Sequence, residues 1–292
     1  MSSGAEPGSG GAPAISGTTR AVGVIGDPVR HSLSPALHNA AFRAAGVDAV
    51  SLAYPVPAGP DAGATAVAAM RTLGLRGLSV TMPHKEAVAG AADRRTPAVE
   101  MLGAANCLVN DDGVITAHST DGDGLVQSLA VDARIDVADE TVVVIGAGGA
   151  ARSVIDALVR FGASVVVVNR SADRAAEAVA LVTAAGSRSG AARVGDATEI
   201  ADASVVINAT PVGMADNPGV PLAVELIRPD HTIVDLIYHP ARTALIEAAQ
   251  RAGARAINGV PMLLHQAAIQ LELWIGQAPD IDAMRAVVVD RI

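Results

Sequence analysis

The chain reads as an α/β protein of two domains. Three observations predict it. Short apolar runs alternate with segments of helical period along nearly the whole sequence. One of those runs, Thr141–Ile145 (TVVVI), is almost wholly β-branched, as a strand covered on both faces requires. The rhythm also breaks and restarts between residues 121 and 140, which marks a boundary between two units.

In the first unit, Arg20–Gly26 (RAVGVIG) is a buried strand ended by Gly26-Asp27-Pro28. Ser34 then reads as the N-cap of a helix, with Pro35 in its first turn and Leu37, Ala41 and Ala44 at helical spacing. Residues 49–56 form a strand, residues 61–73 a helix stopped at Gly74, and residues 76–82 a strand broken at Pro83. A short helix over 96–102 ends at Gly103. Residues 106–110 and 114–118 flank Asp111-Asp112-Gly113 and read as a hairpin. A helix follows over 124–133.

The second unit opens with the strand Thr141–Ile145, a helix to Phe161 and the strand Ser164–Val168, a βαβ unit of about thirty residues. A helix over 171–185, strands at 204–207 and 232–236, a helix over 243–252 and a strand at 254–257 continue it. Two closing helices are expected at Val260–Ile275 and Ile281–Val289.

Composition narrows the function classes. The 292 residues are 50% hydrophobic and 17% charged, which excludes a disordered or collagen-like chain. A net charge of −9 lacks the electrostatic footprint of a nucleic-acid binder. No apolar run reaches the ~18 residues of a spanning helix, so no membrane partner is expected. A single cysteine, Cys107, cannot close an intrachain disulfide. Residues 1–19 are rich in Gly, Ser, Ala and Pro, lack the plan of a secretory signal, and read as a flexible tail. A soluble cytoplasmic protein is the expectation; its oligomeric state is not legible.

The basic residues are 20 arginines and one lysine, Lys85. A GC-rich coding bias would replace Lys wherever Arg serves. The exception is therefore informative, because Lys can exchange its proton in a protein and Arg cannot. Lys85 lies just past a strand's carboxyl end, where open α/β sheets place ligands.

Gly146, Ala147, Gly148, Gly149 and Ala150 lie between a strand and a helix, with Ala151 closing a Gly-x-Gly-x-x-Ala pattern. Gly146 would allow the turn, Gly148 would admit a pyrophosphate, and the helix N-terminus would offer N–H donors. An NAD site would carry Asp or Glu about 20 residues on. That place holds Asn169, Arg170 and Ser171, with Arg174 one turn later. Two guanidiniums and a hydroxyl suit a 2′-phosphate, so NADP is the expected cofactor. The bland reading is a solvated helix start.

Ser32, Ser34, Thr81, Asn106, Ser119 and Asp121 gather after strands of the first unit, with Lys85. Such hydroxyls and amides suit a small polyhydroxylated ligand. Each also has a local structural use, in a cap, a strand or a turn. If Lys85 and Asp121 met, the carboxylate would hold the ammonium, and Lys85 could exchange a proton with a carbinol oxygen during hydride transfer. The histidines show no metal-ligand spacing, and no metal is expected.

In these residues the chain resembles the shikimate dehydrogenase family from about Arg20 to Ile292. The matching blocks run in order: Gly26-Asp27-Pro28-Val29-Arg30-His31-Ser32-Leu33-Ser34-Pro35 with His38-Asn39, Val80-Thr81-Met82-Pro83-His84-Lys85, Gly103-Ala104-Ala105-Asn106, and Thr120-Asp121-Gly122. The glycine loop follows, then Asn169-Arg170-Ser171 with Arg174, Asn208-Ala209-Thr210, Asp235-Leu236-Ile237-Tyr238, and Asn258-Gly259 through His265-Gln266-Ala267-Ala268. The resemblance implies a catalytic domain of residues 20–122 plus 259–292, with a Rossmann NADP-binding domain, residues 123–258, inserted in it. It implies reversible reduction of 3-dehydroshikimate to shikimate, in the route to chorismate and the aromatic amino acids. By position, Lys85 matches the acid/base and Asp121 its partner. Ser32 and Ser34, with Tyr238, would hold the substrate carboxylate. Thr81, Asn106, Asp121 and Gln266 would bond the ring hydroxyls. Gly146 to Ala150, Asn169 to Arg174, Leu236 and Gly259 would line the cofactor site. Three positions depart from the family pattern. Ser79 and Ser119 stand where Asn is usual, and Pro261 replaces a common glycine. A quinate or aminoshikimate enzyme on the same scaffold is the near alternative, and a silent NADP-binding module the distant one.

Overall fold

The computed structural model of the protein describes residues 15–184 and 191–289. Residues 1–14 of the expected tail, residue 185 of the helix expected over 171–185, and residues 290–292 lie outside the described residues.

The first unit runs β1 (Arg20–Gly26), α1 (Ser34–Ala44), β2 (Ala49–Pro55), α2 (Ala62–Thr72), β3 (Gly77–Val80), α3 (Lys85–Ala91), β4 (Arg94–Arg95), α4 (Pro97–Leu102), β5 (Cys107–Asp111) and β6 (Val114–His118). Its sheet is ordered β2-β1-β3-β5-β6-β4. β1 pairs parallel with β2 and β3, whereas β5 runs antiparallel to β3 and β6. The β5–β6 turn places Asp112 and Gly113 at φ of 51° and 89°, as a tight hairpin demands.

The second unit begins with α5 (Asp121–Val131), β7 (Thr141–Ile145), α6 (Gly149–Arg160), β8 (Ser164–Val168), α7 (Ala172–Ala184) and β9 (Ala192–Val194). It continues through β10 (Val205–Asn208), β11 (Thr232–Asp235), α8 (Ala244–Arg251) and β12 (Arg255–Ile257). All pairs in its sheet are parallel, in the order β12-β11-β10-β7-β8-β9. The order reverses between β7 and β10. That is the doubly wound plan, and its switch point is where ligands bind. α9 (Val260–Ile275) and α10 (Ile281–Val289) then return to the first sheet.

Alternation along β7 explains the layering. Val142 and Val144 pack under α5, α6 and α7 with Leu125, Val154, Leu158 and Val182, while Val143 faces Ile233, Leu245 and Ala249 on the other side. In the first sheet, Met70, Val88 and Val99 cover one face. Leu37, Phe42, Leu264, Leu271, Trp274 and Met284 cover the other. The last two helices therefore complete the core of the first unit, although the chain has passed through the second.

Several boundaries differ from expectation. Ser34 is the first residue of α1 and not its cap; Leu33 precedes it, and the Ser34 N–H donates to Ser32 Oγ at 3.3 Å. α5 starts at Asp121, ahead of the expected 124, because Gly122 and Gly124 serve packing and not a turn. α3, β4 and β9 are short elements absent from the periodic pattern. Pro261 sits in the first turn of α9, where a missing N–H costs nothing.

His38 of α1 is wholly buried. Its Nδ1 is hydrogen-bonded to Ser51 Oγ at 2.9 Å, and its ring meets Trp274 edge-on at 5.1 Å. Burial lowers its pKa to about 3. The unfolded chain therefore takes up a proton that the fold refuses as pH falls through 6.5. Unfolding free energy should drop by up to about 1.4 kcal/mol per pH unit below that point from this group. In His38→Gln the urea-unfolding profile should lose that part of its slope; an unchanged slope would contradict the assignment.

Candidate active site

A cavity of about 200 Å³ opens between the carboxyl ends of the two sheets. Ser32, Ser34, Ser79, Thr81, Lys85 and Asn106 line it from the first unit, and Asp121 from the first residue of α5. Ala150, Leu236 and Tyr238 line it from the second, and Gly259, Met262 and Gln266 from the turn into α9.

Lys85 opens α3 and Asp121 opens α5. The ammonium at a helix start opposes the macrodipole, whereas the carboxylate at its own helix start is favoured. Lys85 Nζ donates to Asp121 Oδ2 at 2.5 Å, with the two side chains 20% and 13% exposed. The contact that 36 residues of separation hid is thus present. It is also partly withdrawn from water.

An amide network supports the pair. Asn106 Nδ2 lies 2.8 Å from Asp121 Oδ1, 2.9 Å from Thr120 Oγ1 and 3.3 Å from Gln266 Oε1. The Thr120 N–H donates back to Asn106 Oδ1 at 2.7 Å. Gln270, one turn beyond Gln266 and fully buried, donates from Nε2 to Gln266 Oε1 at 2.7 Å and to the Asn106 carbonyl at 3.2 Å. Thr120 and Gln270 were not singled out from sequence. The i, i+4 spacing of Gln266 and Gln270 on a mostly apolar helix is the available signal.

Helix α9 approaches α5 so closely that a Cβ on Gly124 would lie 2.6 Å from the Gln266 nitrogen. Ser119 does not line the cavity. Its hydroxyl is hydrogen-bonded to Ser153 at 2.9 Å, and Ser153 Oγ accepts the Gly122 N–H at 3.0 Å. Of the two serines that depart from the family pattern, Ser79 alone faces the cavity.

The second unit holds its edge of the cavity through Asp235, which is fully buried. Its carboxylate accepts from Thr243 Oγ1 at 2.6 Å, Asn208 Nδ2 at 3.0 Å and the Ile237 N–H at 3.1 Å. Burial pushes its pKa up, against those three hydrogen bonds. The Gly259 N–H donates to the Ile237 carbonyl at 3.0 Å. Tyr238 follows, and burial raises its phenol's pKa, so it is a protonated donor at neutral pH.

At the switch point Gly146 has φ of 120°, and its N–H donates to the Val168 carbonyl at 2.9 Å. This joins the glycine loop to the segment Asn169–Arg174. Gly148 and Gly149 face open space at the start of α6, a twelve-residue helix with no acid in its first turn. Ser171 Oγ accepts the Arg174 N–H at 3.3 Å. Among the described residues, neither Arg170 nor Arg174 has a carboxylate within 4.0 Å. An open helix N-terminus and two uncompensated guanidiniums fit a phosphorylated dinucleotide. Asn169, Arg170, Ser171 and Arg174 lie outside the cavity lining, one strand away from Ala150.

A doubly wound sheet with an open glycine turn, facing a lysine–carboxylate pair across one cleft, defines a two-domain protein of dinucleotide-binding type. Family models agree. The shikimate dehydrogenase substrate-binding domain matches residues 24–108, shikimate / quinate 5-dehydrogenase matches 128–214, and the shikimate 5′-dehydrogenase C-terminal domain matches 259–289. The shikimate dehydrogenase (NADP(+)) of Methanopyrus kandleri is 40% identical over 285 residues, 95% of this chain and 98% of that one. A crystal structure of a shikimate dehydrogenase with NADP+ superposes with a TM-score of 0.89 at 31% identity, over 96% of this chain and 98% of that one. The quinate dehydrogenase of Corynebacterium glutamicum, solved with NAD, gives 0.84 at 32% identity, over 93% and 99%. The chain belongs to the shikimate dehydrogenase family.

Asn106→Ala should strip partners from Asp121, Gln266 and the Thr120 N–H together. A loss of roughly 1–3 kcal/mol for each buried group left unpaired is expected in urea unfolding. A change below about 0.5 kcal/mol, the level of a surface substitution, would mean the network does not hold the site.

Proposed function

We infer that this protein catalyses the reversible, NADP-dependent reduction of 3-dehydroshikimate to shikimate. The observation that carries the reading is the Lys85–Asp121 pair on the wall of the cavity that Ala150, at the end of the glycine turn, also lines. Bound NADPH supplies the hydride. Gly146 to Ala150 would hold its pyrophosphate, Asn169, Arg170, Ser171 and Arg174 its 2′-phosphate, and Leu236 and Gly259 would complete its site.

The chain's own residues do the rest. Ser32 and Ser34 hold the substrate carboxylate through their hydroxyls, with Tyr238 as a further donor. Thr81, Asn106, Asp121 and Gln266 bond the ring hydroxyls and fix which carbon faces the cofactor. Lys85 Nζ gives its proton to the carbonyl oxygen as that oxygen gains charge, and takes it back in the oxidative direction. Asp121 keeps the ammonium in place and offsets its charge. Residues 20–122 with 259–292 form the substrate domain and 123–258 the cofactor domain, and the seating of α9 and α10 on the first sheet supports that division. Among the described residues, no helix is long and apolar enough to cross a membrane. A cytoplasmic location is the reading consistent with the cofactor.

Ser79 keeps the quinate or aminoshikimate alternative open, because a residue shorter than Asn lines the cavity there. Absorbance at 340 nm with NADP or NAD, each paired with shikimate or quinate, separates the readings. Turnover only with shikimate and NADP is expected; turnover chiefly with quinate or NAD would move the assignment to the alternative. Lys85→Arg keeps charge but cannot exchange a proton, so kcat should fall by about 10²–10⁴ with the fold intact by circular dichroism. Wild-type turnover would remove Lys85 from the chemistry. Arg170→Ala should raise KM for NADP far more than for NAD; equal changes would refute the 2′-phosphate contact.

A further inference from the structure

A second cavity, of about 350 Å³, lies on the far side of the turn that carries Gly259. Arg242, Gln250, Arg255, Ala256 and Asn258 line it, with Asp132 at one wall. Its charge balance is one-sided. Both oxygens of Asp132 are engaged, Oδ2 with His265 Nε2 at 2.9 Å and Oδ1 with Arg285 Nη2 at 2.6 Å. Arg242 and Arg255 have no carboxylate within 4.0 Å among the described residues.

The backbone adds a donor. β12 is the last strand of its sheet, and the Arg255 N–H donates inward to the His231 carbonyl at 3.1 Å. Alternation then turns the next N–H, that of Ala256, to the open edge beside the cavity. Asn258 cannot balance these donors, since its Oδ1 accepts the Val260 N–H at 3.1 Å and its Nδ2 donates to the Ala241 carbonyl at 3.1 Å. Two solvent-exposed guanidiniums, an edge N–H and the Gln250 amide therefore line one cavity whose carboxylate is already paired with Arg285 and His265.

We propose that this cavity binds a small anion, a carboxylate or a phosphate, separately from the active site. Its wall is the segment from Ala256 to Pro261, whose Gly259 faces the active cavity on the other side. An anion bridging Arg242 and Arg255 would clamp the start of α8 to β12 and stiffen that turn.

The test is thermal unfolding with saturating NADP+, at constant ionic strength, titrated with inorganic phosphate or with citrate. Either probe should raise Tm saturably above the sodium chloride control, and the one that acts at lower concentration identifies the anion class. In Arg242→Ala/Arg255→Ala the midpoint should move up about tenfold or more, the size expected from losing hydrogen bonds to charged groups. Arg242→Lys/Arg255→Lys should retain a weakened response. Arg170→Ala should respond like wild type, which separates this site from the cofactor's phosphate site. No saturable shift with either probe would overturn the proposal, and so would a shift that survives the double alanine variant.

Discussion

Asn106 is the constraint on which the site depends. One carboxamide reaches the hydroxyl of Thr120, the neighbouring carboxylate that holds Lys85, and the side chain of Gln266, and so ties the start of α5 to α9. Its own backbone is fixed by β-sheet neighbours, since its carbonyl accepts the Val80 N–H at 2.8 Å and its N–H donates to the His118 carbonyl at 3.1 Å. The first sheet therefore sets where α5 and α9 begin and how closely they cross. Gly124 permits that crossing, and any side chain there would push Gln266 away. Chemistry, helix packing and domain connection share this contact.

The two ends of the cleft are built by different physics. The substrate end is a buried network in which nearly every donor meets an acceptor, so its geometry is stiff and each member is costly to lose. The cofactor end is open backbone, a helix terminus and exposed guanidiniums. Its binding rests on charge and on space, and tolerates small shifts in position. Asp235 joins the two kinds of construction. It is a buried acid that ties β10, β11 and the start of α8 into one rigid rim.

Legibility in the sequence followed the same division. The strands of the doubly wound sheet were plain because they are buried on both faces and therefore continuously apolar, as at Thr141–Ile145. α9 and the start of α10 coincide with their periodic segments to the residue. The short elements were not: β4 has two residues and β9 three, too few for any period to register. Ser34 has the residue type of a cap, whereas in the fold it is already helical, with Leu33 ahead of it and Ser32 Oγ accepting its N–H. The Lys85 and Asp121 positions stood out by composition and motif, but their contact at 2.5 Å is a product of the fold. Thr120 acts only through its neighbours, and nothing local advertises its bond to the Gln266 carbonyl 146 positions away; Gln270 shows locally only as the i+4 neighbour of Gln266, while its bond to the Asn106 carbonyl spans 164 positions.

The arginine-rich composition has a consequence for chemical modification. Apart from the α-amino group, Lys85 is the chain's only primary amine. Reagents that acylate amines indiscriminately on most proteins become directed to one position here, and that position lines the cavity between the sheets. A bulky amine label would occupy the site, a small isotopically enriched methyl group would report on it, and an immobilisation chemistry that relies on surface lysines would find none beyond it.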